Sequence, residues 1–164
     1  MKTLILARHA KSSWQDPDLA DFDRPLNKRG RENAPLMGRR LAERGDWPDL
    51  IVTSPARRAH DTATALAAAL NIEERNIHFE PAIYEAEPAD LLQIIRGFDD
   101  ARREILLVGH NPGLTELANL LAPCQIDNIV TCGLVGLEFD LRLWRDVAPG
   151  QGHLRFYDYP RKTS

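Results

Sequence analysis

The chain begins Met1-Lys2-Thr3-Leu4-Ile5-Leu6-Ala7-Arg8-His9-Ala10, a short apolar run that ends in an Arg-His pair. Such a run predicts a buried strand of a parallel sheet. Ligands of open α/β sheets bind beyond the carboxyl ends of the strands, so Arg8 and His9 are expected at the mouth of a site. An arginine can bind the oxygens of a phosphoryl group, and a histidine can attack its phosphorus. The pair therefore suggests phosphoryl chemistry.

Strand-like and helix-like segments alternate along most of the chain. The apolar run 105–108 predicts a second buried strand, which leads to His110, and the run 50–53 predicts another, followed by a helix from about Ala56 to Leu70. This alternation predicts a three-layer α/β/α sandwich with a mostly parallel central sheet. Residues 135–141 and 153–157 alternate in polarity, which predicts an antiparallel edge of the sheet near the C-terminus.

Length and composition favour an ordinary globular protein. The 164 residues are 43% hydrophobic and 27% charged, so we expect a single domain over residues 1–164. The net charge of −3 argues against a general nucleic-acid binder. We expect no membrane partner, because no apolar segment approaches the length of a membrane span. A cytoplasmic monomer is the expected form.

The segment Thr53-Ser54-Pro55-Ala56-Arg57-Arg58 lies where a predicted strand leads into a predicted helix. Ser54 is expected to cap this helix, with Pro55 in its first turn. A helix N-terminus attracts anions, and Arg58 could add a bidentate contact to a phosphate. A capped helix with exposed arginines explains the same residues equally well.

Taken together, these segments resemble the histidine phosphatase superfamily, the phosphoglycerate-mutase-like proteins. Arg8-His9-Ala10 is similar to the family's Arg-His-Gly signature, and residues 54–63 match its pattern Ser-Pro-x-x-Arg-Ala-x-x-Thr-Ala. Val108-Gly109-His110-Asn111 matches the segment that carries the second histidine. Within the superfamily, residues 23–30 are most similar to the small SixA-type phosphohistidine phosphatases. Ala10 replaces the usual glycine, and we expect the catalytic side chains to tolerate it.

The resemblance implies a metal-independent phosphatase that needs no cofactor. Neutral His9 would attack phosphorus with one ring nitrogen, while a backbone carbonyl holds the proton of the other. Arg8, Arg58 and a protonated His110 would stabilise the transferring phosphoryl group. Water would then hydrolyse the phosphohistidine enzyme.

Other site residues are predicted from their position along the chain. A carboxylate after the third strand often serves as general acid in the superfamily, which favours Glu85, with Glu87 second; both could equally be surface carboxylates. Lys11 and Ser12 follow the nucleophile directly and, with Ser54, are candidates for binding phosphate or substrate. They could instead simply shape the loops.

The substrate is predicted to be phosphohistidine on a protein, because the chain has little length left for a lid over the site. A phosphatase of a small phosphate ester is the first alternative, and a phosphate-binding module without turnover is the second. His9 argues against the module, since binding alone needs no nucleophile. A divalent-metal hydrolase would need carboxylates beside His9 or His110, and neither histidine has one adjacent in the sequence.

Overall fold

A six-stranded mixed sheet runs through residues 1–162, the part of the chain that the computed structural model describes. The strands are β1 (Lys2–Arg8), β2 (Leu50–Thr53), β3 (Ile77–Phe79), β4 (Glu104–Gly109), β5 (Leu134–Phe139) and β6 (His153–Asp158). Their order is β3-β2-β4-β1-β5-β6. Neighbours among the first four are parallel, whereas β5 pairs antiparallel with both β1 and β6. The predicted mostly parallel sheet with an antiparallel edge is confirmed.

Within residues 1–162, four α-helices cover the two faces of the sheet. They are α1 (Lys28–Arg44), α2 (Arg57–Leu70), α3 (Pro88–Arg96) and α4 (Gly113–Leu121). Successive side chains of β1 point to opposite faces, so Ile5 packs in one apolar cluster with residues of α1 and α2, and Leu4 packs in another with residues of α3 and α4. The sheet therefore separates two cores, which is the predicted three-layer arrangement.

The ends of α1 follow the sequence closely, but the start of α2 does not. Asn27 caps α1 by accepting a hydrogen bond from the Gly30 backbone N–H at 2.8 Å, and Gly45 ends the helix with φ of 83°. The expected cap of α2 by Ser54 is wrong, because the helix begins at Arg57. Ser54 Oγ instead accepts from the Ala56 backbone N–H at 3.2 Å, which closes the turn before the helix.

Two connections flank the edge where the parallel strands end. Residues 9–27 join β1 to α1; the Ser13 N–H donates to the Pro25 carbonyl at 2.8 Å, and Asp21–Asp23 form a 3-10 turn. Residues 80–87 join β3 to α3 and include a 3-10 turn at Pro81–Ile83. No helix within residues 1–162 is long and apolar enough to cross a membrane.

Candidate active site

Three neighbouring strands deliver polar side chains to one edge of the sheet. His9 follows β1, His110 follows β4 and Ser54 follows β2. The His9 N–H donates to the Gly109 carbonyl at 3.2 Å, and the Ser54 N–H donates to the Val108 carbonyl at 3.0 Å. Backbone hydrogen bonds thus hold all three residues around the end of β4. A cleft of about 570 Å³ lies beside them. The cleft is lined by Arg8, His9, Lys11, Ser12, Trp14, Arg24, Asn27, Arg58, His110, Asn111 and Thr131.

His9 is oriented as a nucleophile requires. Its Nδ1 lies 2.8 Å from the Ala10 carbonyl oxygen, so Nδ1 carries the proton and Nε2 presents a lone pair. The side chain is buried, with 7% of the residue exposed. Burial, opposed by the bond to Ala10, lowers the pKa of His9 to about 3. The ring is therefore neutral, and nucleophilic at Nε2, at physiological pH.

Two arginines supply positive charge around this nitrogen. Arg58 Nε lies 3.4 Å from His9 Nε2, and Arg58 Nη1 donates to the Asp21 carbonyl at 2.7 Å. Arg8 Nη1 donates to the Ile129 carbonyl at 3.0 Å. Burial lowers the pKa of Arg8 from its usual value, but an arginine pKa is high enough for the side chain to stay charged. A phosphoryl group bonded to His9 Nε2 would lie against both guanidinium groups.

His110 lies beside His9, with the ring centroids 5.2 Å apart. Its Nε2 is 2.8 Å from Ser54 Oγ, while its Nδ1 is buried without a hydrogen-bond partner among the described residues. Burial and the neighbouring Arg58 lower the pKa of His110 to about 4. These surroundings favour the neutral ring, so the expected protonated state of His110 beside a phosphoryl group stays a prediction. A phosphoryl anion beside it would act in the opposite direction and raise the pKa.

The sequence reasoning missed Asp21 and Tyr84. Asp21 Oδ2 accepts from Arg58 Nη2 at 3.0 Å and from the Tyr84 hydroxyl at 2.7 Å. The bond from Tyr84, together with Arg58, lowers the pKa of Asp21 to about 2. Burial and Asp21 raise the pKa of Tyr84 to about 12. Asp21 is thus a fixed carboxylate that holds Arg58 in place.

The weaker candidates for binding phosphate fall in different places. Lys11 and Ser12 line the cleft, and Ser12 Oγ accepts a hydrogen bond from Arg24. Ser54 is fully buried behind His110 and does not line the cleft, so its contact is with the histidine.

The two candidate acids lie outside the cleft lining. Glu85 is exposed, with φ of 60°, and Glu87 is the N-cap residue of α3, where its backbone N–H donates to Asp90 at 3.0 Å. A general-acid role for Glu85 stays a prediction. Within residues 1–162, no three His, Cys, Asp or Glu side chains are grouped so that they could hold a metal ion.

A known family shares these features. Residues 4–91 match the model of the histidine phosphatase superfamily, branch 1. The chain belongs to this superfamily. An uncharacterized chloroplastic protein of Arabidopsis thaliana is 35% identical over 153 residues, which is 88% of this chain and 70% of the relative. An uncharacterized protein of Mycobacterium tuberculosis is 32% identical over 165 residues, which is 94% of this chain and 99% of the relative.

Solved structures of histidine phosphatases share the fold as well. The putative phosphohistidine phosphatase SixA from Agrobacterium tumefaciens superposes with a TM-score of 0.80 and is 28% identical, covering 97% of this chain and 98% of its own. The predicted resemblance to the SixA-type members of the superfamily is confirmed. The expected enzyme class, a phosphatase hydrolase, is confirmed with it.

Proposed function

We propose that this histidine phosphatase removes phosphoryl groups from phosphohistidine on a protein, through a covalent intermediate on His9. The orientation of His9 carries the proposal. Its Nδ1 is held by the Ala10 carbonyl, so Nε2 presents its lone pair beside Arg58. A site that only bound phosphate would need the arginines but not a histidine fixed in this tautomer.

The chemistry follows in two displacements. Nε2 of His9 forms a bond to phosphorus, the bond from phosphorus to the substrate imidazole breaks, and the departing nitrogen keeps the electron pair and takes up a proton from solvent. Arg8 and Arg58 stabilise charge on the equatorial oxygens. Water then bonds to phosphorus and gives up a proton to solvent, the bond to Nε2 breaks with the electron pair returning to that nitrogen, and inorganic phosphate leaves. Throughout, the Ala10 carbonyl accepts from Nδ1–H and favours the phosphorylated ring.

The short connection between β3 and α3 supports a protein substrate. It comprises only residues 80–87, with a 3-10 turn at Pro81–Ile83 and four further residues before α3 begins at Pro88. An open cleft of this kind admits a phosphohistidine that protrudes from a protein surface. An enclosing segment would instead favour a small ester. A substrate imidazole is also a good leaving group once protonated, so an acid within the cleft is not essential.

The test compares wild type with His9→Ala on a protein that carries phosphohistidine and on a generic aryl phosphate, both with EDTA present. We expect turnover of the phosphoprotein, its loss in His9→Ala, and no effect of EDTA. Rapid quenching with a ³²P-labelled substrate should trap a phosphoenzyme that is stable in base and labile in acid, as a phosphoramidate bond requires.

His153→Ala is the matched control, because His153 is an exposed histidine on the edge strand β6. It should retain wild-type turnover and labelling. Turnover of the aryl phosphate alone would assign the site to a small ester. Turnover that persists in His9→Ala would overturn the intermediate on His9.

A further inference from the structure

A second cleft, of about 560 Å³, adjoins the active site. It shares Arg8, Lys11 and Thr131 with the first cleft and extends toward Arg29 on α1 and Arg161 near the C-terminus. Because the two clefts share these residues, a substrate whose phosphohistidine lies at His9 would extend its neighbouring residues into the second cleft. We call it the basic cleft.

The cations of the basic cleft are not neutralised by the protein. No aspartate or glutamate among the described residues lines it. None of the ion pairs formed within residues 1–162 involves Lys11, Arg29 or Arg161. The whole chain carries a net charge of −3, so this positive charge is a local concentration. Clefts lined by one sign of charge attract ligands of the other sign.

Arg29 occupies a position that local stability disfavours. It lies with Lys28 in the first turn of α1, a turn that contains no acidic residue. The N-terminus of a helix carries partial positive charge, so cations there repel it and acids are preferred. Residues that break a local rule of this kind tend to mark function. An anion bound beside Arg29 would remove the conflict.

Packing fixes Arg29 relative to the nucleophile. The Asn27 N–H donates to the Lys11 carbonyl at 2.9 Å, and Gly30 packs so closely on the Lys11 backbone that any side chain there would collide with it. Lys11 in turn follows His9 by two residues. The first turn of α1 is therefore held against the segment that carries the catalytic histidine, which keeps the basic cleft at a constant distance from His9.

We propose that the basic cleft binds a carboxylate of the phosphorylated protein, so that this phosphatase prefers a phosphohistidine flanked by acidic residues. The inference rests on the function proposed above and adds its substrate class. Arg29 and Arg161 would form ion pairs with the flanking carboxylate while Arg8 and Arg58 hold the phosphoryl group. These pairs are exposed, so salt should weaken the preference.

The test uses two peptides of equal length that carry phosphohistidine, one with glutamate within three residues on each side and one with glutamine at those positions. Wild type should show a kcat/KM about three- to tenfold higher for the glutamate peptide at low salt, the size expected of two exposed ion pairs. The double variant Arg29→Gln, Arg161→Gln should lose this preference and keep its rate on the glutamine peptide.

Arg39→Gln is the matched control, because Arg39 is exposed on the same helix but lines neither cleft. It should keep the preference. Equal rates of wild type on both peptides, or a preference that survives in the double variant, would overturn the inference and leave the proposed function standing. Failure of wild type on both peptides would instead overturn the proposed function, and this inference with it.

Discussion

Asp21 holds the arginine that touches the nucleophile. It accepts from Arg58 through both its backbone carbonyl and its carboxylate, and Tyr84 donates to the same carboxylate oxygen. Asp21→Asn should therefore let Arg58 turn away from His9. We expect kcat/KM to fall about five- to twentyfold, since hydrogen bonds to charged groups are strong but this carboxylate is half exposed. Steady-state kinetics on a phosphohistidine peptide measures the effect.

Asp23→Asn is the control for this substitution. Asp23 lies in the same 3-10 turn and is exposed, and its carboxylate makes no hydrogen bond or ion pair within residues 1–162. It should leave kcat/KM near the wild-type value. Equal losses in both variants would mean that the turn, rather than the bond to Arg58, matters.

The two site histidines should both be uncharged at pH 6. Burial lowers the pKa of His9 to about 3 and that of His110 to about 4. Orthovanadate in the cleft should raise the pKa of His110 by about 1–3 units, because a nearby anion favours the protonated ring. Proton NMR titration measures both values. An unchanged His110 pKa with vanadate bound would contradict the role of this ring beside the phosphoryl group.

The residues that the sequence could identify are those that follow strands. His9 and His110 each come directly after an apolar run, so their convergence follows from the rule that parallel strands end at one edge. Asp21 and Tyr84 could not be found in this way, because 63 residues separate them and Asp21 lies in a segment without hydrophobic period. The lowered pKa of His110 could not be predicted from the sequence either, since it depends on burial in the folded chain.

At the scale of the element, α1 is fixed to the loop that follows the nucleophile. Gly30→Ala adds a methyl group that would collide with the Lys11 carbonyl. Alanine favours a helix more than glycine, but the collision should outweigh this gain and destabilise the protein by about 1–3 kcal/mol. Thermal unfolding gives the change in stability, and turnover should fall with it because Lys11 lies close to His9.

Gly97→Ala is the comparison for this substitution. Gly97 follows α3, and an added methyl group would meet only the Ile94 and Gln93 carbonyls at ordinary contact distances of 3.5 and 3.7 Å. Its unfolding temperature should stay close to that of the wild type. A Gly30→Ala protein as stable as this control would show that α1 is not tightly packed on Lys11.

Capping residues made the ends of α1 predictable, whereas the Ser-Pro motif before α2 led to a wrong prediction of its N-cap. Asn27 and Gly45 have side-chain and backbone preferences that act within one turn, so the sequence determines both helix ends. Ser54 has the same capping preference, but His110 lies 2.8 Å from its hydroxyl. The Ser54 hydroxyl thus contacts a residue that follows β4 and the turn at Ala56, while the helix begins only at Arg57; no pattern within residues 53–63 reveals this.

At the scale of the whole molecule, an acidic group lies at the end of the sheet opposite the active site. Burial and Asp46 raise the pKa of Glu104, at the start of β4, to about 7, with Asp49 adding to the rise and Arg155 opposing it. The folded chain therefore holds this proton more tightly than the unfolded chain. Glu104 contributes stability fully below pH 4.5, its ordinary value, and loses it as the pH rises through 7.

Glu104→Gln should remove this dependence, because an amide stays neutral at every pH. We expect the variant to be more stable than wild type by about 1–2 kcal/mol at pH 8.5, after discounting for a side chain that is only half buried, and to match it near pH 4.5. The corresponding rise in Tm is about 2–8 °C. Glu43→Gln, at an exposed position of α1, should show no such difference between the two pH values.

The overall architecture was the most predictable level, because it rests on alternation along the whole chain rather than on any one residue. The apolar runs of β1, β2 and β4 each precede a helix, and the alternating polarity of β5 and β6 distinguishes them as the antiparallel edge. The proximity of the basic cleft to His9 was not predictable, since it brings the first turn of α1 together with Arg161, which is distant from Arg29 in the sequence.

The expected nucleophile and the exposed residues around it are built from different kinds of structure. His9 is bonded through its backbone N–H to β4, and its carbonyl accepts from the Cys132 N–H at 3.0 Å, so it belongs to the centre of the sheet. Trp14, Arg29 and Arg161, by contrast, are exposed residues of a loop, a helix start and the chain's last described turn. Substitutions at these three exposed positions should therefore leave the backbone hydrogen bonds of His9 unchanged. Relatives of this chain should therefore differ in the substrates they bind before they differ in the histidine that takes part in phosphoryl transfer.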